Sequence, residues 1–197
     1  MSFEQDSVRL TADNLKALAH PLRVQILGLL RTYGPATATG LAARLGLTSG
    51  ALSYHLRQLE RFGFIADDTT RGNQRDRWWR AVHRSTEFSS ADLDPAMAEA
   101  GEAYEESVIA AITRSLAAAQ AERRNWPVEW QRVYDLSDVL LQLTPDEAER
   151  LAQDLIGVFN HYRQHTPGEE VPPGSRTVTA RYQIYPVAGQ LEPEDQP

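Results

Sequence analysis

The sequence predicts a mainly α fold with small β elements (α+β), on three observations. Between Leu15 and Arg61, apolar residues recur at three- and four-residue spacing in short segments separated by Gly34-Pro35 and Gly46. From Phe64 to Val82, two short β-prone runs flank a turn-rich stretch. From Pro95 to Ala121 a further apolar spacing runs unbroken, enough for a single helix of about 40 Å. This pattern divides the chain into residues 1–90, a helical block closed by a hairpin, and residues 91–197. The second part is expected to hold a long helix over 94–121, a helix over 145–165 and strands at 138–143 and 177–185.

Each element of the first part has a local cause. Thr11 caps a short helix whose apolar face is Leu15 and Leu18. Pro21 occupies a favoured first helical position, and Leu22, Ile26, Leu29 and Leu30 form the stripe that follows. Gly34-Pro35 ends that helix. Thr39 opens a short helix over Leu41–Leu45, and Gly46 makes the turn. Thr48 or Ser49 caps the next helix, which runs to about Phe62.

That helix carries Leu52, Leu56 and Leu59 at i, i+4 and i+7, so these face the core. Ser49, Gly50, Ser53, Tyr54, Arg57 and Arg61 turn outward, with His55 at the edge of the buried face. The outward set is small and polar at its start and cationic further along. Small residues allow close backbone approach, hydroxyls bond base edges or phosphates, and arginines reach phosphates. With the short helix and glycine turn before it, this is the spacing of a helix-turn-helix, and its second helix is expected to enter a DNA major groove. An ordinary amphipathic surface helix is the other reading. Phe64 to Ala66 and Arg77 to Val82 then form a hairpin with Arg71, Arg75 and Arg77 about its tip, placed to meet phosphate or the minor groove. Period-two alternation puts one of Trp78 and Trp79 on the core side, while Asp67, Asp68 and Asp76 dilute the positive charge.

Taken together, residues of about Leu10 to Val82 resemble the ArsR-type winged helix-turn-helix repressors of bacteria. The resemblance rests on Ala19-His20-Pro21-Leu22-Arg23 through Ile26-Leu27, on Leu41-Ala42 through Leu45-Gly46, and on Ser53 through His55-Leu56 and Leu59 to Gly63. It covers a little over a third of the chain. It implies a homodimer that binds an operator of approximate two-fold symmetry, usually to repress, with Thr48, Ser49, Ser53, Tyr54 and His55 facing DNA. The metal-sensing members use cysteines, or Asp and His on the long helix after the hairpin. This chain has no cysteine and no histidine there, so neither metal nor cofactor is expected.

The second part starts its long helix at Asp94-Pro95. Met97, Gly101, Tyr104, Val108, Ile112, Leu116 and Ala119 approximate a heptad seam, with Glu99, Glu102, Glu105 and Glu106 opposite. The dimer interface is expected along Met97, Tyr104, Val108, Ile112 and Leu116; packing on the chain's own core is the alternative. Thr144-Pro145-Asp146-Glu147 is a capping-box start. Asp138 to Leu143 reads as a strand, with a helix turn as the alternative, and Thr177 to Tyr185 alternates as a strand that can pair with it. His161 and His165 stand at metal-binding spacing, but no third ligand accompanies them. Trp126, Trp130, Tyr134, Phe159, Tyr162 and Tyr182 form either a core or an aromatic pocket for an effector.

Composition narrows the function classes. No apolar run reaches the roughly 18 residues of a membrane helix, and residues 1–6 lack the pattern of a signal peptide, so a cytoplasmic protein without membrane partners is expected. The net charge of -7 is uneven. Residues 1–90 hold 12 Arg and Lys against 8 Asp and Glu, whereas residues 91–197 hold 8 against 19. A basic front and an acidic back would orient the molecule on a polyanion. No phosphate-binding glycine loop, nucleophile elbow or catalytic metal set occurs, so no enzyme is expected. The expected partners are double-stranded DNA, a second copy and a small-molecule or protein effector; a winged helix that binds protein instead of DNA is the alternative.

Overall fold

A computed structural model describes residues 7–71, 76–88 and 94–191. The chain forms two compact units, Met1–Ser137 with His165–Glu170, and Asp138–Gln164 with Val171–Pro197. The first unit therefore extends past residue 90 and includes the long helix.

The first unit opens with β1 (Ser7–Arg9), α1 (Ala12–Leu18) and α2 (Pro21–Tyr33). Asn14 Oδ1 accepts from the Thr11 amide at 2.8 Å, which fixes the start of α1. Next come β2 (Ala36–Thr37), α3 (Ala38–Leu45) and α4 (Ser49–Arg61). The cap of α3 is Thr37, whose Oγ1 accepts from the Gly40 amide at 3.1 Å, two residues before the Thr39 start the sequence suggested. The turn between α3 and α4 passes through Gly46 at φ 66°, a left-handed conformation that glycine adopts without steric cost. Strands β3 (Ile65–Asp67) and β4 (Trp78–Ala81) make the hairpin, followed by β5 (Ser85–Glu87).

Two small sheets form among the described residues. One is β2-β4-β3, antiparallel throughout, with Ala36 opposite Trp79 and Ile65 opposite Ala81. The other pairs β1 with β5 in parallel, Val8 opposite Thr86. The core lies between the helices and the first sheet. Leu15, Leu18, Ile26, Leu30, Leu41, Leu52, Leu56, Leu59, Phe64 and Ile65 are sealed, and Trp79, the inward member of the tryptophan pair, closes it.

After a short 3-10 turn at Pro95–Met97, α5 (Ala98–Glu122) packs its first turns on α1 and α2. Gly101, Tyr104 and Ser107 are buried there, and Met97 and Val108 are half-buried against the same core. The Tyr104 ring meets Phe88 edge-on at 5.0 Å. This corrects the interface set: Tyr104 belongs wholly to the chain's own core, with Met97 and Val108 beside it, because α5 crosses the back of α1 and α2 before it leaves the body. Ile112 is half-buried and Leu116 is 39% exposed, on the part of α5 beyond that crossing. Below α5, a 3-10 turn at Arg123–Asn125 leads to α6 (Val128–Gln131).

The second unit contains α7 (Pro145–Asn160), capped as expected by Thr144 and Glu147, with the Thr144 amide donating to Glu147 Oε2 at 2.8 Å. The helix stops at Asn160, not His165. Gln164 Nε2 donates to the Phe159 carbonyl at 2.9 Å and the Tyr162 carbonyl at 3.2 Å, and so closes the C-terminal end. His165 thereby leaves the helix and lies 2.9 Å from the Thr32 carbonyl, so the two histidines do not share a helical face.

The strands expected at 138–143 and 177–185 are absent: both stretches lack regular structure, and neither belongs to a sheet. The alternation is real, but its apolar face is uncovered, with Val139 73% and Val178 65% exposed. A strand needs a neighbouring backbone, and period-two patterning alone does not supply one. The expected aromatic cluster also separates. Trp126 meets Tyr134 in the first unit at 6.1 Å, and Phe159 meets Tyr182 in the second at 5.8 Å.

Candidate nucleic-acid interface

The outer face of α4 is built from its cap upward. Thr48 Oγ1 accepts from the Ala51 amide at 3.4 Å, which leaves Ser49 and Gly50 at an exposed N-terminus. Leu52, Leu56 and Leu59 are buried, and that registration turns Ser53, Tyr54, Arg57 and Arg61 to solvent. Tyr54 is 57% exposed. The Ser53 hydroxyl donates to the Ser49 carbonyl at 3.1 Å, and Arg57 Nε donates to the Ser53 carbonyl at 3.1 Å. The second bond holds Arg57 along the helix with its terminal nitrogens available. Arg61 leans over the Phe62 ring at 5.6 Å.

His55 keeps the edge position read from the sequence, and its ring lies toward His20 rather than with the DNA-facing set that the resemblance implies. Its ring sits 4.7 Å from His20 and 5.5 Å from Tyr54, with Nδ1 buried and without a hydrogen-bond partner among the described residues. The edge position on the helix turns it toward the start of α2, so it positions Tyr54 and does not face outward. Burial, then the His20 and Arg23 charges, lowers the His55 pKa. Burial, then Arg23, does the same to His20, whose Nδ1 accepts from the Leu22 amide at 3.1 Å. The charged form of both imidazoles is thus disfavoured beside a guanidinium.

The three hairpin arginines separate as well. Arg71 is half exposed and lies 3.9 Å from Asp68. Asp68 is buried, and the Thr70 hydroxyl, donating at 2.6 Å, holds its carboxyl below the usual range. Arg75 lies outside the described residues. Arg77 is engaged within the chain: it pairs with Glu60 of α4, donates to Asp67 at 2.9 Å, and stacks on Trp79 at 4.0 Å. Burial alone pulls its guanidinium down, and the hydrogen bonds and charges of Glu60 and Asp67 more than offset that. Arg77 thus ties the hairpin to α4 and is not a free phosphate ligand. Its partners stand 17 and 10 residues away, beyond the reach of local pattern.

Sequence reasoning missed one part of this surface. A hollow of about 290 Å³ lies beside α4, lined by Thr37, Thr39, Ser53, Arg57, Arg77 and Trp79. It brings the start of α3 next to the outward face of α4. The capping threonine was the available signal, since a polar cap faces solvent beside the following helix.

The helix-turn-helix arrangement of α3 and α4 agrees with the family match. Residues 18–67 match a family described as a helix-turn-helix domain. Over 57 residues the chain is 42% identical to the HTH-type transcriptional regulator NmtR of Mycobacterium tuberculosis, a stretch covering 29% of this chain and 47% of that protein. The chain thus spans about half the length of this curated relative. Among solved structures, reduced HlyU from Vibrio cholerae N16961 is 25% identical and aligns over 48% of this chain and 78% of its own, with a TM-score of 0.31. No helix among the described residues is long and apolar enough to cross a membrane. At its N-terminal end the chain carries a helix-turn-helix domain over residues 18–67, similar in sequence to part of a transcriptional regulator.

Proposed function

We propose that this protein is a sequence-specific double-stranded-DNA-binding transcriptional regulator, acting as a homodimeric repressor on a roughly palindromic operator. The observation that carries the reading is the outer face of α4. It presents Ser49, Ser53 and Tyr54 near a capped N-terminus and Arg57 and Arg61 behind them, while the apolar stripe anchors the helix from below. That is the chemistry of a helix that reads base edges with its first turns and grips phosphates with the rest. Arg71 adds a phosphate contact from the hairpin.

Two-fold binding would use the far part of α5. Ile109 is 62% exposed, Ile112 half-buried and Leu116 39% exposed. At i, i+3 and i+7 they form one apolar stripe, which suits a helix from a second copy. This replaces Met97, Tyr104 and Val108 in the expected seam and adds Ile109. A bound effector would act by favouring one spacing of the two α4 helices over another.

The test is selection of bound fragments from sheared genomic DNA of the source organism, followed by footprinting. The reading predicts enriched fragments with two protected half-sites about one helical turn, ~34–36 Å, apart. Recovery of no fragment above background at moderate salt would refute it.

A further inference from the structure

One short segment of the first unit arrives from far along the chain. Residues His165–Glu170 belong to that unit, although the residues on either side of them belong to the second. The Glu169 amide donates to the Thr166 carbonyl at 3.2 Å, with Pro167 and Gly168 between them and Gly168 at φ 83°. This is a type II turn, with proline and glycine at the positions such a turn favours. Two contacts fasten it at the C-terminal end of α2. His165 Nε2 lies 2.9 Å from the Thr32 carbonyl, one of those that the last turn of a helix leaves without a helical partner. Pro167 rests on Gly34: a Cβ at residue 34 would stand 2.8 Å from the Pro167 Cβ, so only glycine leaves room for the turn. The turn also reaches the hairpin. A Cβ at residue 168 would stand 3.7 Å from Arg71 Nη2, which places the guanidinium against the turn. Glu169 and Glu170 come next, and both are exposed.

We propose that residues 165–170 are an autoinhibitory latch: the turn docks on the end of α2 and sets Glu169 and Glu170 beside Arg71, where they oppose the approach of a duplex phosphate. The inference rests on the DNA-binding reading above. Consecutive Cα atoms are ~3.8 Å apart, so both carboxylates fall within the ~10 Å over which charges interact at 0.1 M salt. They act in two ways. They repel a phosphate directly, and they satisfy part of the field of the arginine that would hold it. Arg71 already lies 3.9 Å from Asp68, so each further negative charge at that place weakens it as a phosphate ligand. Both ends of the latch run into the second unit. A ligand of that unit that binds better with the turn undocked would raise duplex affinity, by as much as its preference for that state.

The test uses the full chain and a labelled duplex of mixed sequence, titrated at low and at moderate salt. Glu169→Gln/Glu170→Gln, which removes the charge, and His165→Ala/Pro167→Gly, which undocks the turn, should each tighten binding by about threefold or more at low salt, and by less as salt rises. Neither pair should tighten binding in an Arg71→Ala background. Glu105→Gln/Glu106→Gln removes the same charge from exposed positions on α5 and should give no comparable gain. A readout without DNA accompanies these: the Arg71 Nε–H signal in the NMR spectrum should move in His165→Ala/Pro167→Gly. All the replaced residues lie outside the buried core. Duplex binding equal in parent and variants, a gain that survives Arg71→Ala or is matched on α5, or an unmoved Arg71 signal would overturn the latch while leaving the DNA-binding reading intact. Failure of parent and variants alike to bind the duplex would instead overturn that reading, and the inhibitory role with it, whatever the Arg71 signal does.

Discussion

Two arginines on neighbouring elements should behave oppositely when removed, and the contrast tests the assignment of the DNA-facing surface. Arg57 is exposed on α4 and, among the described residues, bonds within the chain through Nε, whereas Arg77 is held by Glu60, Asp67 and the Trp79 ring. Each phosphate neutralised on B-DNA adds about 0.9 to the slope of log affinity against log salt, so losing Arg57 from both halves of a dimer should flatten the slope by about 1.8. Over a fourfold change in salt, that difference amounts to about twelvefold in relative affinity. Arg77→Ala should leave the slope unchanged and instead lower thermal stability, because it frees the hairpin from α4. The assay is fluorescence anisotropy with a labelled duplex at four or more salt concentrations, beside thermal melts of both variants. A slope that flattens equally for both, or only for Arg77→Ala, would place the phosphate contact elsewhere than Arg57.

Three further outcomes follow from the same geometry. Arg31 is half-buried and donates to the His83 and Ser85 carbonyls, each at 2.8 Å, and desolvation pushes its guanidinium down to about 10. Arg31→Met should cost about 2–4 kcal/mol in urea unfolding by stranding those carbonyls, and a loss under about 0.5 kcal/mol, the size of an ordinary surface change, would contradict this role. His20 and His55 have folded pKa values lowered by burial and by the neighbouring Arg23, with Tyr54 the other titratable group beside them. The unfolded chain therefore takes up more protons as pH falls through about 6.5, so stability present above that value is lost below it. The Tm should drop between pH 7 and 5, less so in His20→Gln/His55→Gln, and equal drops in variant and parent would assign the effect elsewhere. Gly46→Ala meets no atom within 4 Å but must hold φ 66°, so it should destabilise by about 1–2 kcal/mol through the backbone alone; no loss in a chemical melt would disprove that.

Local rules explain what was legible. The stripe of Leu52, Leu56 and Leu59, the Thr48 cap and the Gly46 turn are each fixed within four residues of sequence, and they determine which face of α4 looks outward. Trp79 as the inward tryptophan follows from strand alternation in the same way, once the side of the sheet is known. What was not legible depends on distant neighbours. His55 lies at a boundary position, and only the location of His20 on another helix decides that it turns inward. Arg77 resembles a free cation until Glu60 is brought to it. Tyr104 fits a dimer seam equally well as a core position, and the crossing of α5 over α1 and α2 makes it core. Strands β1 and β5, three residues each, are too short for periodicity to detect. At 138–143 and 177–185 the pattern was present and the partner backbone was not.

The central claim, that the outer face of α4 lies in a DNA groove, is tested most directly by affinity cleavage. Ala51 is exposed on that face and no native cysteine competes, so Ala51→Cys accepts a DNA-cleaving iron chelate at a single place. On a selected duplex the account predicts cleavage at two clusters about ten base pairs apart, centred where the major groove faces the protein, and none from the same chelate at Val128→Cys. Cleavage from residue 128 but not from residue 51, or from neither while the duplex stays bound, would contradict it.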